Sequence, residues 1–285
     1  MLDLASTLLL NALSAALTLA LVALGLAIIF GFMGVINLAH GAFLTAGAYV
    51  AWLVATELDL SFWLAVILAP IIVGLIGLLI EVLIVRYLYE RLLDTILATW
   101  GVSLAITEGI KLAFGTTSKN VPNPIGGGIN LGVTVYPAYR LFLMGFCLLI
   151  LVAVFLFFRS TDFGIRLRAV IQDAQAASLQ GLNQERMYQL SFSFGSALAG
   201  LAGAVVAPIT TVDPNMGISY LVESFFAVIL GGAGSLLAVI PGSVIVGGAT
   251  NFMTFLLSPV QAQTLVFVIV IAAIIVRPEG IIPQS

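Results

Sequence analysis

The chain has 285 residues, 61% of them hydrophobic and only 8% charged, with a formal net charge of −3. Soluble domains carry about 25% charged residues, so a soluble globular protein is excluded and an all-α polytopic membrane protein is expected. The small net charge argues against a nucleic-acid partner, and the single cysteine, Cys147, permits no internal disulfide.

A spanning helix needs roughly 20 apolar residues. The first such run is 7–30, too long and too poorly flanked by basic residues for a cleaved signal peptide. A Gly-rich break follows, Gly31-Phe-Met-Gly-Val-Ile-Asn-Leu-Ala-His-Gly41, and then a short apolar run at 42–56. Glu57 to Ser61 is a brief polar turn before the span 62–85. The charged connector Arg86 to Arg91 leads into the span 93–114. Residues 115–138 are rich in turn formers and predict an irregular loop. Span 139–158 precedes a polar stretch at 159–187, and span 188–208 carries a small-residue face that includes Gly195, Ala199 and Gly203. Such faces let helix backbones approach closely in lipid. Asp213 to Gly217 reads as a turn, 218–230 as a short apolar run, Gly231 to Ser235 as a break, and 236–257 and 260–276 as the last spans. The total is eight or nine membrane segments in a single transmembrane domain over 1–285, some of them short or broken.

The stretch 159–187 holds four of the ten Lys/Arg residues (Arg159, Arg166, Arg168, Arg186) and three of the thirteen acids. It cannot lie in hydrocarbon. Apolar residues at Ile165, Leu167, Val170, Ala174, Ala177 and Leu179 predict one amphipathic helix between about 165 and 182, suited to docking another protein. Basic residues in short loops face the cytoplasm. With two arginines at 86–91, four at 159–187 and Arg277 near the end, the count puts these segments and the C-terminus inside. The N-terminus and loop 115–138 are then outside.

No Gly-x-x-x-x-Gly-Lys-[Ser/Thr] phosphate cradle occurs; the only lysines are Lys111 and Lys119. One histidine and one cysteine leave no metal site or Cys/His pair. No enzymatic chemistry is expected, and no cofactor. Transporter, channel and scaffold remain.

The Gly-interrupted segments 31–41 and 231–242 sit in the two halves of the chain, each beside a short apolar run. Broken helices at matching positions point to a substrate pathway near the midplane; ordinary tight turns between spans give the same pattern. Asn37, His40, Gly41, Gly231 and Gly232 are therefore candidate path residues. Asn37 and His40 are equally suited to capping freed backbone groups. Glutamates at membrane depth are expensive. Glu81 is expected to reach the interface near Arg86, and Glu108 to pair with Lys111 at i, i+3. Glu223 has no basic residue close in sequence, which suits a pathway, an interface or a buried structural role.

Several stretches in order resemble one family, the permease subunits of ABC importers for branched-chain amino acids and their relatives for urea and short amides. These are Gly31 to Phe43, Leu93-Asp-Thr-Ile-Leu-Ala-Thr-Trp-Gly-Val-Ser-Leu104, Thr161-Asp-Phe-Gly-Ile-Arg-Leu-Arg-Ala169 through Asn183, and Ala197 to Gly203. They continue at Asp213-Pro-Asn-Met-Gly217, Phe225 to Gly234 and Arg277-Pro-Glu-Gly280. The resemblance implies a multi-pass protein of a bacterial-type cytoplasmic membrane. It also implies a second, homologous permease, two cytoplasmic ATPase subunits that bind the ATP, and an external substrate-binding protein. The family's coupling helix has a pattern like Glu-Ala-Ala-x-x-x-Gly; Gln175-Ala-Ala-Ser-Leu-Gln-Gly181 is similar, with Gln175 in place of Glu. The resemblance thus makes Arg168, Asp173, Gln175, Ala176, Ala177, Gly181 and Asn183 the expected ATPase-coupling residues. The substrate stays open between branched-chain or hydrophobic amino acids and small amides such as urea. A proton-coupled carrier and a passive channel for a small neutral solute are the alternatives from the residues alone.

Overall fold

The computed structural model describes residues 2–89, 91–132, 134–232, 235–277 and 279–282, without the side chains of residues 2 and 3. Glu90 of the charged connector, Ala233 and Gly234 of the second break, and Pro278 of the closing motif lie outside the described residues.

The protein is all-α and polytopic. Helix α1 spans Leu2–Met33, α2 His40–Trp52 with a π-type turn continuing over Leu53–Glu57, α3 Phe62–Leu83 and α4 Leu92–Phe114. After a small hairpin of β1 (Gly128–Asn130) and β2 (Val135–Pro137) come α5 at Ala138–Ser160, α6 at Asp162–Gln172 and α7 at Ala174–Leu179. Helix α8 spans Gln184–Val206 and α9 Gly217–Gly231; α10 (Val239–Ser243) and α11 (Ala249–Met253) are joined by a π-type turn, and α12 spans Pro259–Val276. Seven helical runs among the described residues are long and apolar enough to cross a membrane, and α2 and α9 are shorter apolar helices. All nine fall on the apolar segments read from the sequence.

The layers follow from how much of each helix is buried. The most apolar stretches of α1 and α8 are each 78% buried, against 17–28% for those of α3, α4, α5 and α12. So α1 and α8 form the centre, with the buried α2 beside them, and α3, α4, α5 and α12 lie at the periphery. The small residues of α8 allow this. A Cβ on Gly200 would lie 2.6 Å from Val73 of α3, and one on Gly203 would lie 1.9 Å from the Leu44 carbonyl oxygen of α2. Gly200 thus makes room for the Val73 side chain, and Gly203 lets α8 approach the backbone of α2.

Four expectations need correction. The first break is shorter than 31–41: α1 continues through Met33, Gly34 turns the chain at φ +64°, and α2 starts at His40. Loop 115–138 is not wholly irregular, because it holds the β1–β2 hairpin and pairs Lys119 with Val212 through two backbone hydrogen bonds of 2.7 and 3.0 Å. The polar stretch holds two helices in place of one. Asp173 is extended, and its Oδ1 accepts from the backbone N–H of Gln175 and Ala176 at 2.9 Å each, so it ends α6 and caps α7. Finally, the 236–257 run is helical only to Met253, with Ser258 capping α12.

Candidate functional site

Two irregular segments meet inside the bundle. The His40 Nε2–H donates to the Val22 carbonyl at 2.9 Å. Val22 lies 11 residues before the end of α1, about 16 Å along the axis, so α2 begins well inside the bundle. Helix α9 begins beside it: a Cβ on Gly41 would lie 2.4 Å from the Gly217 oxygen, and one on Gly217 would lie 1.9 Å from the Gly41 oxygen. Thr45 spans the contact, accepting from Gly217 N–H at 3.1 Å and donating to the Gly41 carbonyl at 3.1 Å. The segment that meets the first break is therefore 210–217, which the sequence presents as an ordinary turn.

Asn37 and His40 are fully buried in this junction. Asn37 Oδ1 accepts from Ala39 N–H at 3.0 Å, and Thr99 of α4 accepts from Leu38 N–H at 3.1 Å. Backbone freed at membrane depth must find such partners. Asn37 Nδ2 and His40 Nδ1 have no partner among the described residues. Gly231 and Gly232 lie at the other end of α9. A Cβ on Gly231 would lie 1.9 Å from the Ala238 oxygen; Gly232 has φ +118°, and the tail closes here as Ile282 N–H donates to the Gly231 carbonyl at 3.0 Å. These two glycines pack the chain end and do not line a cavity with Glu223.

Glu223 does line a cavity. It has a volume of about 280 Å³ and is walled by α1 (Asn11, Ser14, Thr18), α5 (Arg140), α9 (Tyr220, Glu223) and α11 (Thr250, Asn251). It lies at the end of the bundle that carries the 115–137 loop, since Arg140 starts α5 and Ile209 and Thr210 follow α8. Glu223 Oε1 accepts from Gln263 Nε2 at 3.0 Å, and Arg140 Nη1 donates to Asn11 Oδ1 at 3.1 Å. Arg140, Asn11 and Gln263 are absent from the residues singled out by sequence. The available signal was Arg140 itself, an arginine at the start of a span.

At the opposite end, α6 and α7 form the polar face. Thr161 caps α6, Asn183 Oδ1 caps α8 by accepting from Arg186 N–H at 2.9 Å, and Gly181 turns the chain at φ +82°. Arg168 points back to α5, donating from Nη1 to the Phe158 carbonyl at 2.5 Å. Ala177 seats α7 and is buried, while Gln175, Ala176 and Leu179 are exposed, Leu179 at 89%. The connector between α3 and α4 is held to this face by the Arg86–Glu185 ion pair at 2.8 Å.

Glu81 lies two residues before the end of α3, at the end of the bundle that carries Arg86 and Glu185. It is fully buried and accepts from the Tyr89 hydroxyl. Burial, and then this hydrogen bond, hold the Tyr89 proton on well above the usual tyrosine range. Tyr89→Phe leaves a buried glutamate without its donor, at a cost of about 1–3 kcal/mol. A lowered thermal midpoint of the detergent-solubilised protein is expected. Glu108 and Lys111 pair at 2.7 Å, as their spacing predicts.

The family model described as "Branched-chain amino acid transport system / permease component" matches residues 8–276. The permease protein LivH of the high-affinity branched-chain amino acid transport system of Salmonella typhimurium is 28% identical, over 93% of this chain and 91% of its own length. BraD of Pseudomonas aeruginosa, named for the same kind of system, is 28% identical over 96% and 94%. The ribose import permease protein RbsC of Haemophilus influenzae is 24% identical over 83% and 74%. No solved structure gives a significant match. With nearly its whole length matched and a bundle of apolar helices to go with it, this chain belongs to the family of branched-chain amino acid transport permease components.

Proposed function

We propose that the chain is one of two related permease subunits of an ABC importer that carries branched-chain amino acids across a cytoplasmic membrane. Two ATPase subunits bind below the permease pair, one of them on this chain's α6–α7 face, which is cytoplasmic together with the C-terminus. An external binding protein delivers substrate at the other end, over 115–137 and 209–217. The near full-length family match carries this reading. The relatives named for branched-chain amino acid transport cover this chain more completely than the ribose permease does, which favours an amino acid over urea or a sugar. The exposed α7 supports an external energy source: a self-sufficient carrier or channel has no use for a docking helix.

The test is reconstitution of this chain with its second permease, ATPases and binding protein in proteoliposomes. ATP-dependent leucine uptake is expected, competed by isoleucine and valine and not by urea or ribose. Leucine uptake by this chain alone under a pH gradient would instead establish a secondary carrier.

A further inference from the structure

The cavity between α1, α5, α9 and α11 holds one charged side chain of each sign, Arg140 and Glu223. Each is held by one neutral amide, Arg140 by Asn11 at 3.1 Å and Glu223 by Gln263 at 3.0 Å. Among the described residues neither has an ion-pair partner within 4.0 Å. A guanidinium has five N–H donors and a carboxylate two acceptor oxygens, so both keep capacity toward the cavity. Charges in a membrane protein that lack a counter-charge are costly and mark sites for ligands. The wall is also partly apolar, with Ala15, Leu19 and Ile209 among its lining residues. The volume of about 280 Å³ sits at the small end of ligand pockets, which start near 300 Å³.

We propose that this cavity is a substrate subsite within the permease itself, which takes an α-amino acid as its zwitterion. The carboxylate lies at Arg140, the ammonium at Glu223, and the branched side chain against Ala15, Leu19 and Ile209. Asn11 is a positioning residue: its Oδ1 accepts from both Arg140 and the Tyr136 hydroxyl, at 3.1 and 3.0 Å, and so orients the guanidinium. A zwitterion supplies both missing counter-charges at once. Urea or a sugar supplies neither, and a site built to pair charged groups rejects ligands that leave them unpaired. The inference rests on the branched-chain reading above and adds to it a place in this subunit where the substrate is checked.

The test uses the whole importer in proteoliposomes with Thr250→Cys in the cavity wall. The native Cys147 is fully buried and gives a low background. Millimolar leucine, without binding protein, is expected to slow external labelling by a charged thiol reagent at least about fivefold, a coupling of about 1 kcal/mol. 4-Methylpentanoate, which lacks the amine, and isopentylamine, which lacks the carboxylate, are expected not to protect. Adding Glu223→Gln or Arg140→Gln is expected to remove protection and to lower leucine uptake about tenfold, while ATP hydrolysis stimulated by the binding protein persists. Glu223→Asp and Arg140→Lys keep the charges and are expected to recover part of both signals, which separates charge pairing from misfolding. If the parent importer takes up leucine, yet leucine gives no protection or the Gln variants transport like the parent, the subsite is refuted and the importer reading stands. If the parent importer takes up no leucine, the branched-chain reading fails and the subsite with it.

Discussion

Gly203→Val is expected to yield no folded permease: the protein elutes as aggregate from detergent, and uptake is lost. Gly203 sits where α8 crosses α2, and any Cβ there would lie 1.9 Å from the Leu44 carbonyl oxygen and 3.0 Å from the Ala48 nitrogen. These are backbone atoms, so no rotamer change relieves the clash; the helices have to separate. Overpacking by a few methyl groups costs about 1–3 kcal/mol even where side chains give way. Here the cost spreads, because α2 also carries Thr45, which caps Gly217, and His40, which bonds Val22. Shifting α2 breaks the junction between the two short helices. Total stability is only about 5–15 kcal/mol, so one such change consumes a large share of it. Gly101→Ala on α4 is the control, since nothing lies within 4 Å of that Cβ. It is expected to be neutral, or stabilising by up to about 1 kcal/mol through helix propensity. The check is a melting curve with size-exclusion elution. A Gly203→Val protein melting within about 2 °C of the parent would refute the packing argument, since 1 kcal/mol shifts the midpoint by about 2–4 °C at this size.

What could be read from the chain and what could not divides by sequence separation. All nine apolar helices were legible because hydropathy over some 20 residues is a local property. The close-packed face of α8 was legible for the same reason: its small residues stand at helical spacing within one segment. The Glu108–Lys111 pair is three residues apart. The junction at the heart of the bundle is different. It joins Thr45 to Gly217, 172 residues away, and composition pointed instead to 231–242 because glycines cluster there. Those glycines turn out to serve the packing of α9 against the chain end. Likewise, Glu223 looked isolated because its hydrogen-bond partner Gln263 and its cavity neighbour Arg140 both lie far off in the sequence, and only the fold brings them near it. The Asp173 cap was present in the sequence but masked, because the apolar spacing of α6 carries on into α7 across the break. The burial of Glu81 was not legible because its donor, Tyr89, reaches it only when the chain folds back after α3.

Leu179→Asp is expected to abolish coupling between ATP hydrolysis and uptake while leaving the permease folded. Leu179 is 89% exposed at the end of α7, so replacing it removes no packing within this chain. A large aliphatic residue held out in water on a capped, seated helix suits a hydrophobic slot on a partner, and residues of this kind at the centre of an interface cost about 2 kcal/mol or more when lost. A carboxylate forced into the same slot adds a desolvation cost. ATPase binding is therefore expected to weaken by at least about thirtyfold, equal to about 2 kcal/mol, and ATP-driven uptake to fall with it. Ala177→Trp makes the complementary test from beneath. Ala177 is buried and seats α7 on the bundle, so a bulky residue there lifts the helix as a unit. That variant is expected to retain membrane insertion and to lose coupling, even with Leu179 intact. Gln175→Glu probes the same helix more gently: Asp173 already caps the N–H of residue 175, so the change adds an acid to the first turn of α7, where it is expected to leave the fold intact. The measurement is ATPase retention by the purified permease, read beside leucine uptake in proteoliposomes. Parental retention and uptake in both Leu179→Asp and Ala177→Trp would move the docking face away from α7.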